Sequence, residues 1–538
     1  MRREMTMKPK TLLSLLVAVL LGTAGIAAAA GPAQDAPAQV GGASADKLTL
    51  EACLQRALER NLDLRITVLE PRRAEAGVTL AGERFLPPLS FNAGSQSTRE
   101  ASYSYLSGSG NLTSRYDDYG TALTETIPTG GTLTASLASY KSDSNSSFQT
   151  INPRYGSQLT FSFSQPLLRD FGYRIPRRQI LVAQYNRDRS EMSARRAVLD
   201  TLYTVESAYW ELVYAIEDLK VKRQSVELAR ALLQRSRHQV EIGTLAPIEV
   251  LTAEAEAASR EADIHQAEAL VKNREATLRT LLDLRTPASE TPLPIEPADA
   301  PAAEARSVSL DGAVAAALDK RPEILSARIG LRSSDLELTY ARNQLLPALS
   351  LDLSYWSPGI SGTQILYQDD NPLTGVVIGT IAGQAATARK DAAHFKCQNW
   401  SGGRTRAVPL SSLLTRAAAV QAGLDVEQAR LVLERAEQSV ILDVRTAFRE
   451  VETNAKRIAS YEAARRLSER KLEGEERKAK VGMSMNYTIL QFQRDLTKAR
   501  SQEIRARIDY VISQAKLDQA MGASLERRNI VWTSPLQK

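Results

Sequence analysis

The chain has 538 residues, of which 43% are hydrophobic, 24% charged and only 6% aromatic, with a mean hydropathy of −0.26. A formal charge of +6 with both signs interspersed is no nucleic-acid footprint. Few aromatics and many charges suit helices with a large solvated surface better than a thick globular core. Cys53 and Cys397 are the only cysteines, so an oxidising compartment permits one disulfide between them.

Residues 1–30 have a basic start (Arg2, Arg3, Lys8, Lys10), an apolar stretch from Leu12 to Ile26, and Ala28-Ala29-Ala30 before Gly31. That is the layout of a secretory signal peptide; a membrane anchor is the competing reading, against which the apolar core is short and alanine-rich. No cysteine follows the cleavage site, so no lipoprotein signal is read. Residues 31–46 read as a flexible N-terminal segment. Beyond residue 31 there is no run of about 18 apolar residues, so a chain that spans a membrane must do so as a closed barrel of strands.

The remainder is written twice. Thr49-Leu50-Glu51-Ala52 through Asn61-Leu62-Asp63-Leu64 reappears as Ser309-Leu310-Asp311-Gly312 through Arg321-Pro322-Glu323-Ile324. The same offset relates Phe85-Leu86-Pro87 to Leu345-Leu346-Pro347, and a slightly shorter one relates Gly243 to Gly482. A unit of roughly 240 to 260 residues is far longer than the 20 to 50 of a solenoid, so it reads as a head-to-tail duplication. The first repeat is taken as 47–285 (strands about 88–166, helical hairpin about 167–285). A Pro-rich linker, 286–307, leads to the second at 308–522 (strands about 347–409, hairpin about 410–522), and 523–538 is a C-terminal tail.

Each repeat opens with a short helical pair, 49–83 or 309–343. After Leu86-Pro87 and Leu346-Pro347 the period becomes two. Leu89, Phe91 and Ala93 alternate with Ser90, Asn92 and Gly94; Leu159, Phe161 and Phe163 alternate with Thr160, Ser162 and Ser164; Leu349, Leu351, Leu353 and Tyr355 alternate with Ser350, Asp352 and Ser354. Apolar on one side and small polar on the other suits a wall between lipid and water, which makes Leu159, Phe161, Phe163, Leu349, Leu351, Leu353 and Tyr355 the lipid-facing set; a half-buried strand of a soluble sandwich is the competing reading. Tyr119–Ile127 and Thr132–Tyr140 are further strand-like stretches that either join the barrel or pack beside it, leaving four or six strands per chain. Polar loops at 97–117 and 141–156 are expected at the outer mouth. So few strands cannot close a pore, so several chains must share one barrel.

A long helix follows in each repeat, from Leu167 to about Ile242 and from about 410 to Gly482. Leu202, Val205, Tyr209, Leu212, Ile216 and Leu219, and again Ile441, Val444, Phe448, Val451, Ala455 and Ile458, are spaced 3, 4, 3, 4, 3, the seam of a coiled coil. Helices of about 70 to 76 residues at 1.5 Å per residue are about 105 to 115 Å long. Glycine turns at Gly243 and Gly482 send the chain back through return helices 246–285 and 484–522, with Pro247 fitting the first turn of the former. A return helix plus a short pair matches one long helix, so the two are expected to stack end to end.

The two Leu-Pro strand entries, Gln165-Pro166-Leu167-Leu168-Arg169-Asp170-Phe171-Gly172, Ala208-Tyr209-Trp210-Glu211-Leu212, Gly243-Thr244-Leu245-Ala246-Pro247 and Asp425-Val426-Glu427-Gln428-Ala429-Arg430 stand out along this pattern. By these residues the chain resembles the TolC-type outer membrane efflux proteins. It implies a mainly α fold with a β-barrel portion: duplicated long coiled-coil hairpins plus transmembrane strands contributed to a trimeric barrel. It further implies a homotrimer in outer-membrane lipid with a long periplasmic extension, docked to a periplasmic adaptor protein and linked to an inner-membrane pump. Gly243, Thr244, Leu245, Gly482, Met483 and Ser484 correspond to the adaptor-docking tip, though turn chemistry alone also explains the glycines. The gate region corresponds to Glu249, Thr252, Thr488 and Gln491, where the family's aspartates are missing, so a carboxylate ring is not expected.

Residues 383–408 depart from the pattern: Arg404 and Arg406 on one face of a strand either line the lumen and favour anions, or mark a locally altered reading frame. His238, His265 and His394 make no ligand spacing, and no phosphate loop or nucleophile elbow is present, so neither an enzyme nor a cofactor is expected. The function read from all this is a passive exit duct for small toxic molecules. The alternatives are the exit duct of a type I protein secretion system and a pore-less trimeric coiled-coil structural protein.

Overall fold

A computed structural model describes residues 46–102, 110–147, 149–284, 294–301, 309–408, 412–481 and 483–531. The expected signal peptide, nearly all of 31–46, most of the linker, Gly482 and the last residues of the tail lie outside the described residues. Lys47–Lys538 form one unit, and its elements repeat as the sequence does.

Strand β1 (Asp46–Leu48) leads into α1 (Leu50–Arg60) and α2 (Leu62–Gly82). Four strands follow: β2 (Leu89–Ala101), β3 (Asn111–Thr126), β4 (Thr132–Ser144) and β5 (Ile151–Pro166). The hairpin is α3 (Arg178–Glu241) and α4 (Pro247–Leu281), after which β6 (Ile295–Pro297) pairs with β1. The second repeat has α5 (Leu310–Lys320), α6 (Pro322–Asn343), β7 (Ala348–Tyr367), β8 (Val377–Ile381), α7 (Ala385–Ala393), β9 (Asn399–Ala407), α8 (Leu413–Lys480) and α9 (Asn486–Met521), closed by α10 (Ser524–Arg527).

The first long helix is shorter than its periodicity suggested. It starts at Arg178 rather than near Leu167, because Asp170 and Gly172 take positive φ (64° and 109°) and Pro176 stands two residues before it. Left-handed residues and a missing N–H cannot continue a helix. At 64 and 68 residues, α3 and α8 still extend for about 100 Å at 1.5 Å per residue.

The core lies along the seam. Leu202, Val205, Tyr209 and Leu212 are buried and pack with Leu50, Cys53, Leu54 and Leu64 from α1 and α2 and with Leu278 and Leu282 at the end of α4. The second seam is thinner: Val444 is fully buried, while Ile441, Phe448 and Val451 are half-buried and Ala455 is exposed. The Tyr209 hydroxyl lies 3.1 Å from Leu48 O and 3.0 Å from Asp299 Oδ2 and shares its one proton between them, while Leu50 N donates to the same carboxylate at 2.6 Å. Asp299 thus caps α1, with its charge at the positive end of the helix. No disulfide forms: Cys53 is in this core and Cys397 is exposed.

The strands make one antiparallel sheet in the order β2-β3-β4-β5-β7-β8, with β9 also on β7. The two extra stretches of the first repeat are central to it. They are longer than expected, β3 starting at Asn111 and β4 ending at Ser144, so the predicted loops at 97–117 and 141–156 are partly strand. Their Ser- and Tyr-rich residues still alternate, and that is all a ladder requires.

Candidate functional site

Side chains directly opposite in an antiparallel pair share a face. Leu123 faces Leu89, Ala135 faces Leu123, Phe161 faces Ala135, Tyr355 faces Phe161 and Trp400 faces Tyr355, so one apolar row crosses six strands. The next rows place Leu353 beside Phe163, and Leu159 beside Leu137. All seven predicted lipid-side residues therefore lie on one face. The other carries Ser90, Ala122, Ser136 and Thr160 in register, and beside them Thr124, Thr134, Ser162 and Ser354. On that face Asp352 accepts from Ser164 at 2.6 Å, Ser350 at 2.8 Å and Thr405 at 3.0 Å.

The arginines of β9 fall elsewhere than the lumen reading expected. Arg404 stands opposite Leu351 and Arg406 opposite Leu349, which puts both on the apolar face at the end nearest the helices. A two-residue period admits no other placement once Trp400 pairs with Tyr355. Arginines flanking an apolar band keep their charge at its edge by extending along it.

The unusual segment before β9 is ordered on the same face. Helix α7 buries Ala388 and Ala392 against β5 and β7 where Ser157, Ser357 and Gly359 leave room, and Phe395 stacks on Phe161 and lies tilted against Tyr355. Nothing in its small-residue spacing had announced a helix packed on a strand pair.

At the far end of the hairpins, Gly243 takes φ +75°, and Thr244 donates from N and Oγ1 to Gln239 O, each at 2.9 Å, closing α3. The second tip repeats this with Met483 N on Lys478 O at 3.0 Å, while Ser484 Oγ donates to Glu475 at 2.7 Å. Around them Ile242, Ile248, Val481, Met483, Met485 and Tyr487 are each at least 60% exposed; Leu245 is half-buried. Among the gate positions, Thr252 donates to Ile248 O at 3.1 Å, one Glu249 carboxylate oxygen is buried without a hydrogen-bond partner, Thr488 is half-buried and Gln491 exposed.

Between tips and core sits a buried polar junction that sequence reasoning missed. Arg260 of α4 is 5% exposed; it donates to Glu256 at 2.9 Å, Ser225 O at 3.0 Å, Leu490 O at 3.1 Å and Gln493 at 3.3 Å, joining α3, α4 and α9. Arg494 donates to the same Glu256. Burial raises the Glu256 pKa, but the hydrogen bonds and charges of Arg494 and Arg260 outweigh it and hold the carboxyl below its ordinary value. The available signal was Ala253, Ala257 and Arg260 at seam spacing, an arginine where an apolar residue belongs. No group of three or more His, Cys, Asp or Glu among the described residues is placed to hold a metal ion.

One apolar-banded sheet is joined to two long helical hairpins, one from each repeat. Residues 53–283 and 313–523 each match the outer membrane efflux protein family. The chain belongs to that family. The two matches meet the two repeats and skip the linker. The outer membrane protein TolC of Vibrio cholerae serotype O1 is 25% identical over 349 residues, covering 63% of this chain and 73% of TolC. The pyoverdine export outer membrane protein OpmQ of Pseudomonas putida is 24% identical over 336 residues, 62% of this chain and 64% of OpmQ. The solved structure of the outer-membrane channel OprN superposes with a TM-score of 0.64 at 18% identity, over 88% of this chain and 90% of OprN. As an outer membrane efflux protein the chain works in the outer membrane, and its hairpins form the periplasmic extension. Among the described residues no helix is long and apolar enough to cross a membrane.

Proposed function

We propose that three copies form the passive outer-membrane duct of a tripartite efflux system, releasing small toxic molecules. The observation that carries this reading is the sheet: an apolar row crosses every long strand on one face, hydroxyls line the other, and among the described residues both edges are left open within a single chain. Open edges are intolerable in lipid, so closure needs further copies. The exposed apolar side chains at both tips support docking of a periplasmic adaptor there, methionines giving such a surface latitude in packing. The gate lies beside them, and of Glu249, Thr252, Thr488 and Gln491 only Glu249 bears charge, which argues for a mouth without strong cation preference. Pumping energy comes from the inner-membrane partner. Purified protein reconstituted into planar bilayers is expected to give discrete conductance steps; a trimer that inserts and never conducts would leave the pore-less alternative standing. Deleting the gene while scoring drug sensitivity and secreted proteins separates efflux from type I secretion.

A further inference from the structure

Each chain contributes six membrane-length strands rather than four. We infer that, given the trimeric reading above, three copies close an eighteen-stranded barrel, β2 of one copy pairing with the β8/β9 edge of the next. Strands β2, β3, β4, β5 and β7 have 13, 16, 13, 16 and 20 residues, against the 9 to 11 or so that a tilted transmembrane strand needs.

The sixth strand is in two pieces. One edge of β7 is taken by β5, so β8, paired with Gln364–Tyr367, and β9, paired with Ala348–Trp356, both lie along the other edge. Between them the chain leaves the ladder as α7 and settles on the apolar face. Pro358 has no N–H to offer there, and Gly359 and Gly362 let backbone approach: a Cβ on Gly359 would lie 2.1 Å from Ala388 O.

The β2–β3 hairpin does not lie apart from this sheet. Its register with β4 runs unbroken from Ser114–Ser144 to Thr126–Thr132, and Leu89, Phe91 and Leu123 continue the apolar row. Left outside the barrel, those side chains would have neither lipid nor core. Because neighbours alternate in direction over an even number of strands, β2 and β9 are antiparallel, so copies join without breaking the pattern. Any even stagger between them keeps Trp400 on the same face as Leu89 and Phe91, so the apolar face continues from one copy to the next. Among the described residues no other strand remains to cover either edge, since β1 and β6 pair with each other.

Barrel diameter grows about linearly with strand number, and 16 to 18 strands leave an aqueous channel. The hydroxyl face has few charges between its ends, chiefly Asp118 and Asp352, so the barrel discriminates weakly between solutes by sign or size. Selection is left to the hairpin end.

The test uses full-length trimers with Cys397→Ser to remove the exposed native thiol. Trp400→Cys is combined with Phe91→Cys, Ala93→Cys or Ser95→Cys on β2, or separately with Leu137→Cys on β4. Oxidation is expected to give a covalent trimer ladder for at least one β2 combination and none for the β4 one. A β4 ladder, or a trimer in which no β2 combination links, overturns the eighteen-stranded barrel. Electron cryomicroscopy of the unmodified protein decides independently of any variant: eighteen strands around the pore are expected, and twelve refute the inference. A particle that is not trimeric by native mass overturns the trimeric reading itself, whatever the strand count per chain.

Discussion

The side-chain amide of Asn61 donates to the carbonyl oxygen of Leu281 at 3.0 Å across 220 residues of chain, while its Oδ1 accepts from Leu64 N at 2.9 Å. One buried side chain thus ends α4 and begins α2, and this is how a return helix continues into a short one. Arg321, its equivalent in the second repeat, precedes α6 and donates to Gln519 O near the end of α9 at 3.3 Å. The end-to-end stacking expected from helix lengths is held at both joints by the residue between the two short helices.

Asn61→Ala removes both bonds and leaves the buried Leu64 N–H and the half-buried Leu281 carbonyl without these partners, so a loss of about 1 to 3 kcal/mol is expected. Asn61→Asp keeps the cap acceptor and loses the donor, and its melting temperature should fall between those of wild type and alanine. Equal melting of all three proteins would remove the joint from the account.

Arg260→Ala leaves Glu256 buried with only Arg494 for charge, and removing one partner of a buried pair typically costs about 3 to 5 kcal/mol. Because the folded pKa of Glu256 lies below its ordinary 4.5, its contribution is complete above that value and is lost as pH falls through the lower folded value. Hydrogen exchange of α4 and α9 amides should be protected down to about pH 5 and loosen below about 4.5, a change that Glu256→Gln abolishes.

Burial, reinforced by the charge of Asp299 and only partly opposed by Arg56, pushes the Cys53 thiol up to about 11. Native protein at neutral pH should therefore take up one equivalent of an alkylating reagent, at the exposed Cys397, and a second only after denaturation. Mass spectrometry of the labelled peptides checks this.

Gly359→Val places a side chain against Ala388 O and Ala392 N, backbone atoms that cannot yield as a flexible side chain does. Overpacking of this kind costs about 1 to 3 kcal/mol and should lift α7 from the strands. Tryptic cleavage after Arg389 and Lys390 in detergent-solubilised protein should speed up several-fold, with the sheet still resistant.

Gly243→Val puts a β-branched residue at φ +75°, a conformation such side chains avoid. The first tip should rearrange, abolishing efflux in a drug-susceptibility assay while the trimer still inserts. Undiminished resistance would remove the docking role of the tip.

Local periods alone determine much of this protein. The 3, 4, 3 spacing from Leu202 to Leu219 yields a seam, the alternation from Leu349 to Tyr355 a two-faced strand, and the paired Leu-Pro entries the places where one period gives way to the other. Each depends on neighbours within a few residues, so each is readable without a fold. Tertiary structure alone decided which strands meet. It put Arg404 beside Leu351 on the apolar face, made β8 and β9 a single edge, placed α7 on Ser157 and Gly359, brought Asn61 to Leu281, and held Arg260 among three helices. These outcomes rest on contacts between residues tens to hundreds of positions apart, where register and chain direction choose the partner and no local period records the choice.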